Sequence, residues 1–136
     1  FARQLADRCD TTLCCEDCPV VAVTRIIDGD TFVSSSGMRV RLFGVDTPEV
    51  RQRCSTEATD RLRELAGGEV RVEDGPRLLD PYGRRLYYLY SKDGESIDEK
   101  LVREGLARAW TRDGQHRDEL ARLERAAQRD RKGCLW

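Results

Sequence analysis

Two short segments of this sequence carry carboxylates that could bind a divalent cation. Asp28-Gly29-Asp30-Thr31 places acidic side chains at a tight turn, and Val45-Asp46-Thr47-Pro48-Glu49 places two more just past a predicted strand end. Hard divalent cations take several oxygen ligands. Asp30, Asp46 and a backbone carbonyl could supply them if the two segments meet in space.

These residue types would suit phosphodiester hydrolysis. Arg41 and Arg84 offer forked donors that, with a cation, would offset charge on the pentavalent phosphorus. A nearby carboxylate would orient or deprotonate the attacking water. Each piece also has a purely structural interpretation, because Asp28-Gly29 is typical of hairpins and Thr47-Pro48-Glu49 of helix starts.

The elements that must position these residues are mostly strands. The β-branched run at 20–27 predicts a first strand that ends in the Asp28-Gly29 turn. Further strands are predicted around residues 31–33, at 38–45 with Arg41 on the polar face, around Val70 and Val72, and at 86–90. Helices are predicted at 57–66, from the capping box of Ser96 and Glu99 to Gly105, and at 115–131.

This pattern predicts an α+β, mainly β fold, namely a five-stranded OB-type barrel capped by about three helices. We expect a cysteine-rich amino-terminal arm over residues 1–19 and one domain over residues 20–136. The 136 residues suit a single compact core, and no apolar stretch approaches the length of a membrane span. We expect a monomer.

The charge balance excludes one mode of nucleic-acid binding. The chain has 24 basic and 25 acidic residues, so a global positive field cannot supply affinity for phosphates. A bound cation or a local arginine cluster would have to supply it.

Six cysteines in so short a chain indicate an oxidising, secreted or otherwise extracytoplasmic environment. Four lie near the amino terminus, at Cys9, Cys14, Cys15 and Cys18. A zinc knuckle at Cys15 and Cys18 is one alternative, although structural zinc usually takes two separated pairs. Three disulfides fit the even count, and Cys14 and Cys15 would each reach a different partner, which could tie the arm to the domain.

The motifs together resemble those of the staphylococcal nuclease (thermonuclease) family. The resemblance covers residues 20–106, and more loosely the chain to Trp136. It rests on the Asp28–Thr31 turn, on an Arg41 followed by Asp46, Thr47 and Glu49, on Asp80-Pro81-Tyr82-Gly83-Arg84, and on the segment 101–107. The second of these motifs is highly specific in its spacing.

The resemblance implies a role for each matching residue. Asp30 and Asp46 would bind Ca²⁺ through their carboxylates and Thr47 through its backbone carbonyl. Glu49 would hold or activate the water, and Arg41 and Arg84 would grip the scissile phosphate. The family cleaves DNA and RNA at the bond to the 5′ oxygen, with little sequence preference, and leaves 3′-phosphate ends.

The substrate side of the site is more divergent from the family. Tyr82 resembles a tyrosine that contacts the nucleotide phosphate. Trp110 is carried over as a base-stacking platform, with a core or rim tryptophan as the alternative. His116 is interpreted as a surface residue.

Two other functional classes compete with the nuclease. A catalytically silent barrel could bind nucleic acid or protein, but it would gain nothing from a repulsive acid cluster. A cysteine-rich extracellular structural domain would explain the arm but not the acidic and basic motifs.

Overall fold

Five strands form a closed barrel in the computed structural model, which describes residues 9–136. The strands are β1 (Val20–Asp28), β2 (Thr31–Ser34), β3 (Arg39–Leu42), β5 (Glu69–Glu73) and β6 (Arg85–Tyr90). Their order is β1-β2-β3-β6-β5, and pairing of β5 with β1 closes the barrel. The β3–β6 pair is parallel, and the other neighbours are antiparallel. The predicted barrel is thereby confirmed.

Three helices cover the barrel within the described residues. They are α1 (Ser55–Ala66), α2 (Ile97–Arg103) and α3 (Arg117–Arg129). Each buries the apolar stripe expected from its sequence, as with Leu62, Leu101 and Leu120, which are 0% exposed. None of the helices between residues 9 and 136 is long and apolar enough to cross a membrane.

The predicted third strand over 38–45 is interrupted at Gly44. The chain leaves the barrel after β3 and forms β4 (Val45–Asp46), which pairs with β7 (Arg108–Ala109) in a separate two-stranded sheet. A Cβ atom on Gly44 would lie 2.6 Å from a Leu120 methyl and 2.8 Å from an Asp98 oxygen. Close packing of α2 and α3 against this point therefore divides the strand.

The amino-terminal arm is described from Cys9 onward, so residues 1–8 of the predicted arm lie outside the described residues. The three predicted disulfides are present, and the zinc alternative is wrong because Cys15 bonds to Cys18. The expected covalent tie between arm and domain is also wrong. Cys9–Cys14 and Cys15–Cys18 both close within the arm, and Cys54–Cys134 joins the start of α1 to the carboxyl terminus.

A buried carboxylate fastens the arm instead. Glu99 on α2 is 0% exposed and accepts hydrogen bonds from the amides of Thr12 and Leu13, at 2.9 and 2.8 Å. Its other close partner is Arg103 Nε at 2.6 Å.

This use of Glu99 alters the predicted capping box. Ser96 Oγ accepts from the Glu99 amide at 3.0 Å, as expected for the N-cap. In a full capping box the Glu99 side chain would accept from the Ser96 amide. Here the Ser96 amide donates instead to Thr11 Oγ1 of the arm, also at 3.0 Å.

Asp98 of α2 connects the strand interruption at Gly44 to β6. Its carboxylate is 0% exposed and accepts from the Gly44 and Leu89 amides, both at 2.9 Å. Burial raises the pKa of Asp98 to about 6, against the opposing effect of these two hydrogen bonds.

We expect Asp98→Ala to lower the free energy of unfolding at pH 7 by about 2–5 kcal/mol, because two buried amides lose their acceptor. Urea denaturation followed by circular dichroism measures this change. Asp93→Ala, at an exposed position of the preceding turn, is the control and should shift stability by less than about 0.5 kcal/mol. Equal midpoints for the two variants would contradict the assigned role of Asp98.

Candidate active site

The turn between β1 and β2 places Asp30 against the end of β4. The backbone of this turn is tightly packed, since a Cβ on Gly29 would lie 2.7 Å from the Ala58 side chain and 3.0 Å from that of Thr47. Asp30 is 7% exposed. Its Oδ2 accepts from the Thr47 amide at 3.2 Å, and its Oδ1 accepts from the Thr31 hydroxyl at 3.1 Å.

Arg41 lies between the two acidic segments. It projects from β3, where Arg41 and Thr31 are partners across the β2–β3 ladder. Its Nη2 is 3.3 Å from Asp30 Oδ2 and 3.4 Å from Asp46 Oδ1. The Asp46 side chain is 58% exposed, so the guanidinium bridges a buried carboxylate and an open one.

Arg84, which directly precedes β6, extends toward Thr31 at the start of β2. Its Nε donates to Asp80 Oδ2 at 2.6 Å, and its Nη1 lies 3.4 Å from the Thr31 hydroxyl. Asp80 Oδ1 also accepts from the amides of Tyr82 and Arg84, both at 2.9 Å. Burial tends to raise the pKa of Asp80, but the hydrogen bonds from Arg84 and Tyr82 outweigh it and hold the pKa below its ordinary value.

Asp80 was not among the predicted site residues. The sequence signal for it is the Asp80-Pro81-Tyr82-Gly83 turn, because an aspartate at the first position of a turn commonly accepts from amides two and more residues on. The sequence does not reveal that the same carboxylate orients Arg84.

One small cavity of about 160 Å³ unites the acidic and basic side chains. Its wall includes the predicted residues Asp30, Arg41, Asp46, Thr47, Glu49 and Arg84, together with Asp28 and Pro48. Glu49 is exposed, and its amide donates to the Gln52 side chain at 2.8 Å. The structure thus brings together the six residues that the sequence placed around the chemistry.

The cavity carries excess negative charge. Its four carboxylates, on Asp28, Asp30, Asp46 and Glu49, face two guanidinium groups, which leaves two negative charges. Burial raises the pKa of Asp28, and the neighbouring Asp30 carboxylate raises it further. Carboxylate oxygens are the ligands that a hard divalent cation prefers, and here the Arg41 guanidinium lies between the carboxylates of Asp30 and Asp46.

Tyr82 and Trp110 line an adjoining groove of about 340 Å³ that shares Arg41 and Arg84 with the cavity. Tyr82 is 84% exposed, and the Arg84 guanidinium lies 5.6 Å from its ring centre. Trp110 is half-buried and lies 5.8 Å from the Arg41 guanidinium.

Trp110 is held in place by a residue that sequence analysis missed. Its indole Nε1 donates to Asp113 Oδ1 at 2.7 Å, and Arg77 Nε donates to Asp113 Oδ2 at 2.5 Å. Asp113 follows Trp110 by three residues in a segment without a regular pattern, so no sequence signal identified it.

His116 is not the surface residue that the sequence indicated. Its side chain is 20% exposed, its Nε2 lies 2.8 Å from Glu73 Oε1, and its ring packs edge-on against Tyr88 with centroids 4.6 Å apart. It does not line the small cavity and has a packing role at the start of α3.

Several known proteins are similar in sequence to this chain. The family model described as staphylococcal nuclease homologue matches residues 39–136. A thermonuclease of Staphylococcus hyicus is 34% identical over 126 residues, covering 84% of this chain and 73% of the relative. A micrococcal nuclease of Shigella flexneri is 35% identical over 127 residues, covering 84% and 71%. An uncharacterized endonuclease of Escherichia coli O157:H7 is 33% identical over 118 residues, covering 84% and 74%.

We expect Asp80→Ala to lower the free energy of unfolding by about 1–3 kcal/mol and to release Arg84, because three donors lose one acceptor. Urea denaturation measures the first effect, and loss of a protected Arg84 Nε–H signal in nuclear magnetic resonance measures the second. Asp60→Ala is the control, since Asp60 is exposed and pairs with exposed Arg63 on α1. A persistent Arg84 signal in Asp80→Ala would contradict the positioning role.

Proposed function

This chain belongs to the staphylococcal nuclease homologue family, and from that premise we propose that it is a calcium-dependent nuclease. It hydrolyses phosphodiester bonds of DNA or RNA with low sequence specificity and yields 3′-phosphate ends. The observation that carries the proposal is the cavity in which Asp30, Asp46, Glu49, Arg41 and Arg84 meet. Its two excess negative charges would be costly without a cation.

The metal ligands are assigned from position and charge. Asp30 and Asp46 would bind Ca²⁺ through their carboxylates, and the backbone carbonyl of Thr47 would add a further oxygen. When bound, the cation would supply positive charge close to the phosphate that is attacked. A silent binding module would gain nothing from retaining these acids beside two arginines.

The two arginines bind the scissile phosphate. Asp30 and Asp46 orient Arg41, and Asp80 orients Arg84. Both guanidinium groups are therefore positioned before the substrate binds. Donors fixed in this way stabilise charge that develops on the phosphate oxygens without reorganising during the reaction.

Glu49 positions the water and accepts a proton from it. The water oxygen forms the new bond to phosphorus, and the bond between phosphorus and the 5′ oxygen breaks. The leaving 5′ oxygen takes up a proton from solvent, and the products are a 3′-phosphate and a 5′-hydroxyl. The exposure of Glu49 at the cavity edge supports this role, because a water can reach its carboxylate there.

The adjoining groove would take the nucleotide itself. Tyr82 would contact a phosphate, and Trp110 would offer a flat surface to a base, an interaction worth about 1–3 kcal/mol per base. Three disulfides support an extracytoplasmic site of action. Every proposed site residue comes from one chain, so a monomer suffices.

We expect chelation of calcium to abolish hydrolysis of plasmid DNA and of RNA, and added calcium to restore it. Asp30→Asn should lower the calcium affinity measured by titration calorimetry, whereas Asp93→Asn on an exposed turn should not. Full activity in the presence of chelator would rule out the metal assignment.

We expect Arg84→Ala to reduce kcat by about a hundredfold or more, because a donor that stabilises transition-state charge is lost. Initial rates on a labelled oligonucleotide measure the effect, and end-labelling of the fragments identifies the 3′-phosphate. Arg63→Ala, at an exposed position on α1, is the matched control. An unchanged kcat in Arg84→Ala would remove this residue from the proposed site.

A further inference from the structure

A second and larger cavity adjoins the proposed catalytic cavity. Its volume is about 520 Å³, against about 160 Å³ for the catalytic cavity. The two cavities share Asp46, Thr47 and Pro48, whereas the groove of Tyr82 and Trp110 shares none of these three. A chain-like ligand could therefore pass from the groove through the catalytic cavity into this one.

The distinctive side chains of this larger cavity are cationic. Arg53 and Arg108 line it, together with Gln52 and Leu135. Both arginines are exposed, and within residues 9–136 neither has a carboxylate at ion-pair distance. Many other arginines of the chain have such partners, so these two guanidinium groups remain open to an external anion.

The position of Arg108 is fixed by its surroundings. It lies on β7 directly opposite Asp46 of β4, and its guanidinium is 4.8 Å from the Trp136 ring centre. Stacking on an aromatic ring leaves the edge of a guanidinium available for bidentate contact with a phosphate.

The Cys54–Cys134 disulfide fastens the two walls of this cavity together. Arg53 directly precedes Cys54, and Leu135 directly follows Cys134. The bond therefore joins the segment between β4 and α1 to the carboxyl terminus at the cavity itself. The two disulfides of the arm make no comparable connection, because each closes a loop of the arm.

We propose that this cavity is a second substrate subsite, which binds the phosphodiester backbone of a polynucleotide beyond the scissile phosphate through Arg53 and Arg108. This inference rests on the proposed function and deepens it. The nucleic acid occupies the groove of Trp110 on one side of the cleaved bond and the arginine-lined cavity on the other. The enzyme accordingly favours cleavage within long chains over cleavage of minimal substrates.

The subsite also answers a difficulty raised by the composition. The chain is slightly acidic overall, with a formal net charge of −1, and gains no affinity from a general positive field. Unpaired arginines placed along the path of the backbone supply local affinity instead. Each phosphate contact of this kind adds about 0.7 to the steepness with which the log binding constant for a single strand falls with log salt concentration.

The test compares a single-stranded 12-mer with a dinucleotide that spans only the groove and the catalytic cavity. The Arg53→Ala/Arg108→Ala double variant is expected to lose about tenfold in kcat/KM on the 12-mer. The slope of log binding constant against log salt concentration should also become shallower by about 0.7 for each arginine removed. The activity of the double variant on the dinucleotide should match that of the wild type. Arg125→Ala is the matched control, because Arg125 is an exposed arginine of α3 that forms no ion pair with the residues from 9 to 136.

Binding measured without turnover separates this proposal from the proposed function. Fluorescence anisotropy of the labelled 12-mer, with Glu49→Gln as the background, reports affinity even if no substrate is hydrolysed. Equal 12-mer affinity with and without Arg53 and Arg108 would overturn the subsite. Failure of the wild type to cleave the 12-mer in calcium would instead count against the proposed function.

The disulfide supplies an independent variant. Cys54→Ala/Cys134→Ala should weaken binding of the 12-mer by several fold, whereas Cys9→Ala/Cys14→Ala should not. Thermal unfolding confirms that both variants are folded at the assay temperature. Unchanged binding in a folded Cys54→Ala/Cys134→Ala variant would overturn the role of the disulfide in holding the walls.

Discussion

Asp30 is a nearly buried carboxylate, and the groups that satisfy it come from three parts of the chain. The Thr31 hydroxyl and the Thr47 amide donate to its two oxygens, and Arg41 lies 3.3 Å away. A buried charge that lacked such partners would cost several kcal/mol. The β1–β2 turn, β3 and the end of β4 are therefore held together, and every other side chain of the candidate site is placed relative to that junction.

Buried carboxylates serve the scaffold in a related way. Asp98 connects the interruption at Gly44 to β6, and Glu99 connects the arm to α2. These two groups are fully buried and their oxygens are taken up by amides and Arg103. Two acids of the small cavity differ, because Asp46 and Glu49 are exposed and keep oxygens that can face a ligand. Asp30 combines both features, because it is nearly buried and also lines the small cavity.

Local patterns were sufficient where burial follows a regular period. The strands and helices were predicted within a few residues, because alternation and helical spacing directly record which side chains face the core. The errors share a different cause. The interruption at Gly44 depends on Asp98 and Leu120, and the arm is fastened through Glu99. These partners are distant in the sequence, so no local pattern reports them.

The sequence by itself determined the barrel class, the even pairing of cysteines and the set of acids and arginines, because residue type and short-range spacing are properties of the chain alone. The tertiary structure decided which cysteines pair, that Asp80 orients Arg84, and that Cys54–Cys134 joins the walls of a cavity beside the site. Such contacts depend on how separate segments pack against one another. Their energy is realised only when the core has formed, and for that reason they leave no signature in neighbouring residues.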